Sequence, residues 1–442
     1  MKIAVVGTGI SGLAAGWMLH RHAEVTVYEK NSYPGGHTNT VTVSDGAGTL
    51  AVDTGFIVFN ELNYPNLTAL FRLLGVGSHP SEMSFSASID DGRVEWSGDN
   101  LNTLFAQRQN LLSRAHWRML RDILRFNREG KRALETGLDP DLSLGEFLDI
   151  RDYGPELRYR YLLPMAAAIW SCPMDRMLEF SANSFLRFCN NHCLLNLMRR
   201  PQWRTVTGGG REYVKRLAKS LAPDLHLNRA VTVITRTPTG VQIQDQHGEW
   251  CRYDEVVVAA HGDQTLKLLA DASPQERAVL GAFQYQTNRA VLHTDARSMP
   301  KSRRVWASWN YFGEGEQRHD ARVSLTYWMN RLQDLRAQDD YFVTLNPVRE
   351  PSPGSVLYET TYEHPVFNRE TVRAQDNLQL IQGRNRTWFC GAWCGHGFHE
   401  DGLKSAADVV ERMGYPIPWR KHYITRRSST TDPWAVPALE DM

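Results

Sequence analysis

The first 29 residues constrain this chain more than any others, because they read as a complete unit for holding a dinucleotide. Lys2 to Val6 is a short apolar run rich in Val and Ile, Gly7-Thr-Gly9-Ile10-Ser11-Gly12 follows it directly, and Leu13 to Leu19 is a good helix former. Gly7 permits the tight turn, Gly9 lets backbone N–H groups approach a pyrophosphate, and Gly12 lets the helix lie close to the strand. A second strand, Glu24 to Tyr28, ends at Glu29 and Lys30. The Glu29 carboxylate is placed to accept from a ribose diol and would repel a 2′-phosphate, so NADP is disfavoured. A glycine-rich surface turn would explain neither the strand before, the helix after nor the acid at this distance.

A chain of 442 residues can bury a large core and should form two or so domains. A net charge of +1 with 42% hydrophobic residues describes an ordinary globular protein, not a nucleic-acid-coating one. The longest apolar stretches fall short of the ~18 to 20 residues needed to cross a bilayer. Met1 leads straight into a strand, so no signal peptide is expected, and six cysteines in so long a chain suggest a reducing, cytoplasmic setting.

The next motifs separate FAD from NAD. Tyr33-Pro34-Gly35-Gly36-His37 stands just past the ribose acid, and Val52-Asp53-Thr54-Gly55-Phe56 follows a polar stretch. Near the other end stand Trp388-Phe-Cys-Gly391-Ala-Trp393 and Glu400-Asp401-Gly402-Leu403-Lys-Ser-Ala406. With these the chain resembles the flavin-containing amine oxidase superfamily, which includes monoamine oxidases, protoporphyrinogen oxidases and phytoene-type desaturases. In Trp306-Ala-Ser-Trp-Asn-Tyr311 and Ala166-Ala-Ala-Ile-Trp-Ser171 it is similar to bacterial amine-oxidase-like proteins associated with fatty-acyl modification. The resemblance implies an α/β fold: a Rossmann-like FAD-binding domain assembled from 1–60, 205–275 and 383–415. An α+β substrate domain with a mixed sheet would come from 61–204 and 276–382, with a helical subdomain at 101–200 and a tail at 416–442. It also implies that Val231 sets its backbone against the adenine, that Ala260 and Gly391 border the cofactor, and that the Gly402 and Leu403 amides stabilise the reduced flavin.

Between these motifs the pattern is less specific. Leu67 to Leu74 reads as a helix stopped by Gly75, Ser84 to Trp96 as a hairpin, and Ser143 to Asp149 as a helix capped by Ser143 and Glu146. Leu101 to Arg132 reads as helical and sharply basic, either the solvated face of a core helix or a face that lies on an anionic membrane. Helices are expected from Tyr161 to Pro173, Phe180 to Leu197 and Lys404 to Met413. Strands are expected from His226 through Val233, Glu255 to Ala260, Ala290 to Thr294, Arg304 to Tyr311, Val323 to Met329 and Ser355 to Thr361. Trp306, Trp309, Tyr311, Tyr327 and Trp328 are core aromatics or the floor of a pocket. The tail from Trp419 to Arg427 is basic and aromatic.

His396 and His399 are the candidates for a catalytic role, because their loop should pass close to the isoalloxazine; the Glu400 and Asp401 carboxylates read as helix caps. His192 reads as a packed histidine and His261 as a turn residue or a neighbour of the cofactor edge; covalent attachment of the flavin through a histidine of the 394–400 loop or through Cys394 is the less favoured reading. No ligand set of metal spacing, no redox CxxC and no second GxGxxG stands in the sequence. The expectation is an FAD-dependent oxidoreductase removing hydride from an apolar substrate, first a fatty-acyl chain. Its electrons would pass to oxygen, a quinone or another carrier. An amine oxidase, a fatty-acid double-bond isomerase and a non-catalytic flavin-binding protein are the alternatives. No nucleic-acid partner is expected.

Overall fold

The structure, a computed structural model, describes residues 1–46, 48–196, 200–313 and 324–420. Its organising layer is a five-stranded parallel sheet in the order Leu225–His226, Glu24–Tyr28, Lys2–Val6, Glu255–Val258, Thr387–Phe389. Three distant stretches of chain thus meet in one sheet. Parallel strands are covered on both faces, and here Ile3 and Val5 enter the apolar cluster of one face while Ala4 and Val6 enter that of the other. The first face carries helix Ile10–Leu19, every residue of which is buried, and helix His399–Arg412.

A second layer is a seven-stranded mixed sheet, ordered Val356–Val366, Gln284–His293, Phe342–Leu345, Ser324–Trp328, Trp309–Gly313, Phe85–Ile89, Val94–Ser97. Among the described residues only Trp309–Gly313 and Phe85–Ile89 pair in parallel in this sheet. Helices Arg114–Thr136, Leu144–Ile150, Leu163–Trp170 and Ala182–Asn191 share one apolar cluster with residues of this sheet, Tyr311, Leu325 and Tyr327 among them. Trp306 and Phe342 belong to a small separate cluster, against which Trp328 packs. The five aromatics therefore divide between two packed regions and do not floor one pocket.

Several local expectations are met. The helix at Pro65–Leu74 stops at Gly75 in the left-handed region (φ 66°), and Ser143 and Glu146 form a reciprocal capping box. Others are corrected. The basic stretch is broken into Leu101–Leu104, a 3-10 turn at Arg108–Leu112 and the long helix capped by Ser113. The apolar helix ends at Trp170 because Ser171 takes φ 51°, before Pro173 is reached, and the helix expected to run to Leu197 stops at Asn191. Leu197 and Val323 lie outside the described residues, as does the tail beyond Arg420. The single strand expected from His226 to Val233 is two strands in different sheets, with Val231–Thr237 opening a three-stranded antiparallel sheet. Glu255–Val258 is an interior strand of the parallel sheet, one edge of which is Thr387–Phe389. Arg303–Val305 is a 3-10 turn, so the strand there starts at Trp309.

Candidate functional site

The Gly-rich turn is built around one close contact. A Cβ at Gly12 would stand 1.9 Å from the Gly7 carbonyl oxygen, whereas a Cβ at Gly9 would meet nothing within 4 Å. Gly12 is therefore needed for packing, and Gly9 leaves an open surface at the N-terminus of helix Ile10–Leu19. Gly35 and Gly36 both take positive φ, and they lie over that turn: the Gly35 N–H donates to the Thr8 carbonyl (3.0 Å), and a Cβ on Gly36 would be 3.2 Å from the Gly9 Cα. Glu29 is buried at the end of its strand, accepts from the Thr8 N–H (2.9 Å) and the Thr8 hydroxyl, and so ties the acid to the turn. Arg229 N–H donates to the Glu29 carbonyl (2.8 Å), which brings the approach to Val231 alongside the same acid. Lys30 is exposed.

The closing helix arrives at the same point. A Cβ on Gly402 would lie 2.8 Å from the Ser11 Oγ and 2.9 Å from the Ile10 Cγ2, so the two helix N-termini are in contact. Each carries unpaired first-turn amides and the positive end of a peptide dipole, a natural seat for phosphate or a developing anion. The Gly402 N–H itself donates to the Phe398 carbonyl (3.0 Å), which corrects the expectation that it points at the flavin. The amides without intrahelical acceptors are those of the preceding turn, His399 to Asp401. Leu403 is fully buried in the core beneath. Ala260 accepts from the Trp393 indole (3.0 Å), and the Gly391 N–H donates to the Ser405 hydroxyl (2.9 Å).

The 52–56 turn joins these parts. Asp53 accepts from the Gly210 N–H (3.0 Å) and from the Gln333 side chain (2.7 Å), and burial pushes its carboxyl up to about 7. Gly55 abuts the His37 carbonyl, to which Phe56 N–H donates (2.9 Å). Phe56 stacks on the His399 ring at 3.8 Å, and His399 Nε2 meets the Thr38 hydroxyl (2.8 Å) and the Tyr213 hydroxyl (3.2 Å). Burial holds this imidazole far below its ordinary range, at about 3, so it is neutral and fixed by its partners.

His37 stands within 5.0 Å of Tyr362, 5.4 Å of His364 and 6.1 Å of His261, centroid to centroid. Burial pushes these three histidines down to about 3 or 4, and His37 Nε2 is buried without a hydrogen-bond partner. Thr54 bonds the Tyr362 hydroxyl (2.8 Å). His364, Tyr362 and Tyr358 were missed in the sequence; their period of two places them on one face of strand Val356–Val366, a signal that was available. His261 stacks on Tyr285 (4.3 Å) and lies 3.4 Å from Glu363.

Glu400 and Asp401 are both caps, for different helices. Asp401 accepts from the Phe398 N–H of its own helix (3.0 Å); Glu400 accepts from the N–H groups of Asn66 (3.0 Å) and Leu67 (2.9 Å), at the start of Pro65–Leu74. On the other side of this loop the surroundings turn apolar. Phe398 stacks on Phe188 (5.2 Å) and lies edge-on to Trp170 (6.4 Å), whose indole donates to the His396 carbonyl (3.3 Å). The His396 ring is edge-on to Phe188 at 5.7 Å, and a recess beside it is lined by Trp170, Phe180, Ser184, Phe185 and Phe367. His192 stacks on Phe188 and bonds its carbonyl (3.0 Å), a packed histidine. Burial raises the Cys394 thiol well above its usual range, which keeps it protonated and unreactive. Among the described residues no group of three His, Cys, Asp or Glu side chains could hold a metal ion.

A flavin dinucleotide fits these residues: the open surface at Gly9, two converging helix N-termini and the unpartnered His37 nitrogen supply a cradle, dipoles and a polar contact. The model of the family described as flavin containing amine oxidoreductase matches residues 10–328. A flavin-containing monoamine oxidase by name, AofH of Mycobacterium tuberculosis, is 27% identical over 269 residues, 56% of this chain and 54% of that protein. The match thus spans about half the length of that curated relative. Two solved structures share the fold over 93% of this chain at a TM-score of 0.65 and 16% identity: a CLA-producing fatty acid isomerase from P. acnes, over 98% of its length, and cyclohexylamine oxidase from Brevibacterium oxydans IH-35A, over 99%.

Proposed function

The chain belongs to the flavin containing amine oxidoreductase family, whose cofactor is a flavin, and from that premise we propose an FAD-dependent oxidoreductase that oxidises an apolar chain, a fatty-acyl group first. When bound, the flavin supplies the hydride acceptor. Gly9, Gly36, His37 and Glu29 would hold its dinucleotide part, and the amides of 399–401 would face its electron-rich edge. His399 stays neutral and hydrogen-bonded to Thr38 and Tyr213, so it fixes the position of the loop rather than exchanging protons. Phe398, the residue before it, packs on Phe188 and edge-on to Trp170, which lines the recess, and so helps keep water from that side.

One observation carries the choice of substrate. The recess beside His396 is walled mainly by Trp170, Phe180, Phe185 and Phe367, with Ser181, Ser184 and Gln375 as its uncharged polar groups, and among the described residues no lysine lies in it: Lys404 pairs with Asp408 along its helix, Lys301 with Asp91, and Lys30 is exposed. An amine oxidase is the second reading, favoured by the name of AofH and by the Tyr358 and Tyr362 hydroxyls that both meet the Asn39 amide. A fatty-acid double-bond isomerase would use the same apolar recess without an external electron acceptor. The deciding experiment is anaerobic mixing of the purified yellow protein with membrane lipid extract and, separately, with a panel of amines, while flavin absorbance is followed. Bleaching by lipid alone supports the acyl reading, and bleaching by an amine overturns it. A lipid whose double bond has moved, with no bleaching, supports the isomerase.

A further inference from the structure

The outward side of helix Arg114–Thr136 carries an unusual sequence of exposed residues. Arg114, Trp117, Arg118, Arg121, Leu124 and Arg128 follow one another at helical spacing and are exposed, while Met119, Phe126, Gly130 and Ala133 face the core. The turn before the helix adds Leu112, 91% exposed, and the end of helix Leu144–Ile150 adds Ile150, 72% exposed. Single exposed leucines need no explanation. These large apolar side chains lie interleaved with guanidinium groups on neighbouring elements that are pinned together. The Trp117 indole donates to the Leu111 carbonyl (2.9 Å), and Arg125 donates to the carbonyls of Arg151 (2.9 Å) and Asp152 (3.0 Å).

The charge is equally one-sided. Residues 101–132 hold eight Arg and Lys against two acids in a chain of net charge +1. Within the stripe Arg121 pairs with the buried Asp122 (3.0 Å) and Arg118 with Glu156 (2.9 Å), while Glu129 takes the Tyr153 hydroxyl (2.7 Å), so the uncompensated charge of the stripe sits on its other arginines. Arg114 and Arg128 form no ion pair among the described residues. A second copy of this face would meet it with like charge. An anionic bilayer meets both features, since arginines settle among phosphates while Trp and Leu enter the acyl boundary.

We propose that this face docks on an anionic phospholipid membrane. Its inner side leads toward the recess: a Cβ on Gly130 would stand 2.9 Å from Leu186, so the helix lies directly on Ala182–Asn191, which carries Phe185 and Phe188. The docking face is thus two packed helices, roughly 10 Å per layer, from the aromatic recess. The inference goes beyond the catalytic reading and stands without it, because vesicle binding does not depend on which substrate bleaches the flavin.

The test is sedimentation of flavin-loaded protein with phosphatidylcholine vesicles containing about one-third phosphatidylglycerol, and with phosphatidylcholine alone. Binding to the anionic vesicles only, weakening as salt rises, is expected. Arg114→Gln with Arg128→Gln should lower the partition about 25-fold, about fivefold per arginine. Leu112→Ser with Trp117→Ser should lower it while leaving the flavin spectrum unchanged. No sedimentation with anionic vesicles, equal binding of the arginine variant, or a dimer in solution that the same substitutions dissolve would overturn the proposal.

Discussion

Phe398 and His399 are adjacent in the chain and enter two different chemistries. His399 turns into a polar lattice with Thr38, Tyr213 and Phe56; Phe398 turns into an aromatic one with Phe188, Trp170 and His192. On the first side, position depends on backbone contacts and hydrogen bonds that tolerate almost no substitution. On the second, it depends on ring packing that several residues could supply. The cofactor side should therefore fail sharply when disturbed, and the substrate side by degrees.

The strongest break in that comparison is Gly12→Val. Its Cβ would collide with the backbone oxygen of Gly7, a contact that no rotamer relieves, so a loss of roughly 4 kcal/mol or more is expected. Protein without bound flavin, or none soluble, is the expected outcome of expression. Gly9→Ala is its control: open space around the Cβ predicts a nearly unchanged melting temperature but a lower flavin content. Equal melting temperatures for Gly12→Val and wild type would show that the turn is not built as described.

Phe398→Ala comes next and tests the other side. Truncation of a large, partly buried aromatic should cost about 2 to 3 kcal/mol while flavin content persists. Any substrate that bleaches the wild type should bleach the variant at least about tenfold more slowly, because water enters beside the reacting carbon. Loss of flavin in Phe398→Ala, with bleaching intact in what remains, would invert the assignment of the two sides.

This division also explains what could be read from residues alone. The Gly7 to Gly12 turn, the Glu29 acid and the Gly35-Gly36 pair are short-range devices, because a tight turn or a close backbone approach limits the residue locally. Ser143 with Glu146 and Gly75 were legible for the same reason. The recess brings together residues from Trp170 to His396 through tertiary packing, and no local pattern reports that Trp170 also meets Phe398. Glu400 was read as a cap, but its partner helix begins more than three hundred residues earlier, at Pro65. Phe342–Leu345 was overlooked as a strand because four residues give period-two alternation too little length to show.

Glu400 offers a smaller and pH-dependent test. Burial raises its carboxyl to about 7 in the folded chain, against an ordinary 4.5. The folded state thus holds this proton more tightly, so its contribution to stability is full below about pH 4.5 and is lost as pH rises through about 7. The buried histidines have the opposite sign: His37, His261, His364 and His399 lie below their ordinary 6.5, and their contribution is lost as pH falls from about 6.5 toward 4. Glu400→Gln keeps one acceptor for Asn66 and Leu67 and should cost about 1 to 2 kcal/mol at low pH. The gap between variant and wild type, measured by denaturant titration, should narrow as pH rises from 5 to 8. A gap that widens would place the ionised carboxylate as the favoured folded form.

The finest test separates the two sides through one hydroxyl. Thr38 is buried, and its Oγ1 meets both the Tyr213 hydroxyl (2.5 Å) and His399 Nε2 (2.8 Å). Thr38→Val keeps the shape, removes the shared partner and leaves the tyrosine and histidine facing each other at 3.2 Å. One of the three polar bonds survives, so the loss should be about 1 kcal/mol. Since His399 is held by this lattice and Phe398 is not, the flavin absorbance band should shift or broaden while the substrate concentration giving half-maximal bleaching stays within about twofold of wild type. A large rise in that concentration with an unchanged spectrum would mean that the hydroxyl positions the aromatic side, and that the two chemistries flanking residues 398 and 399 are one.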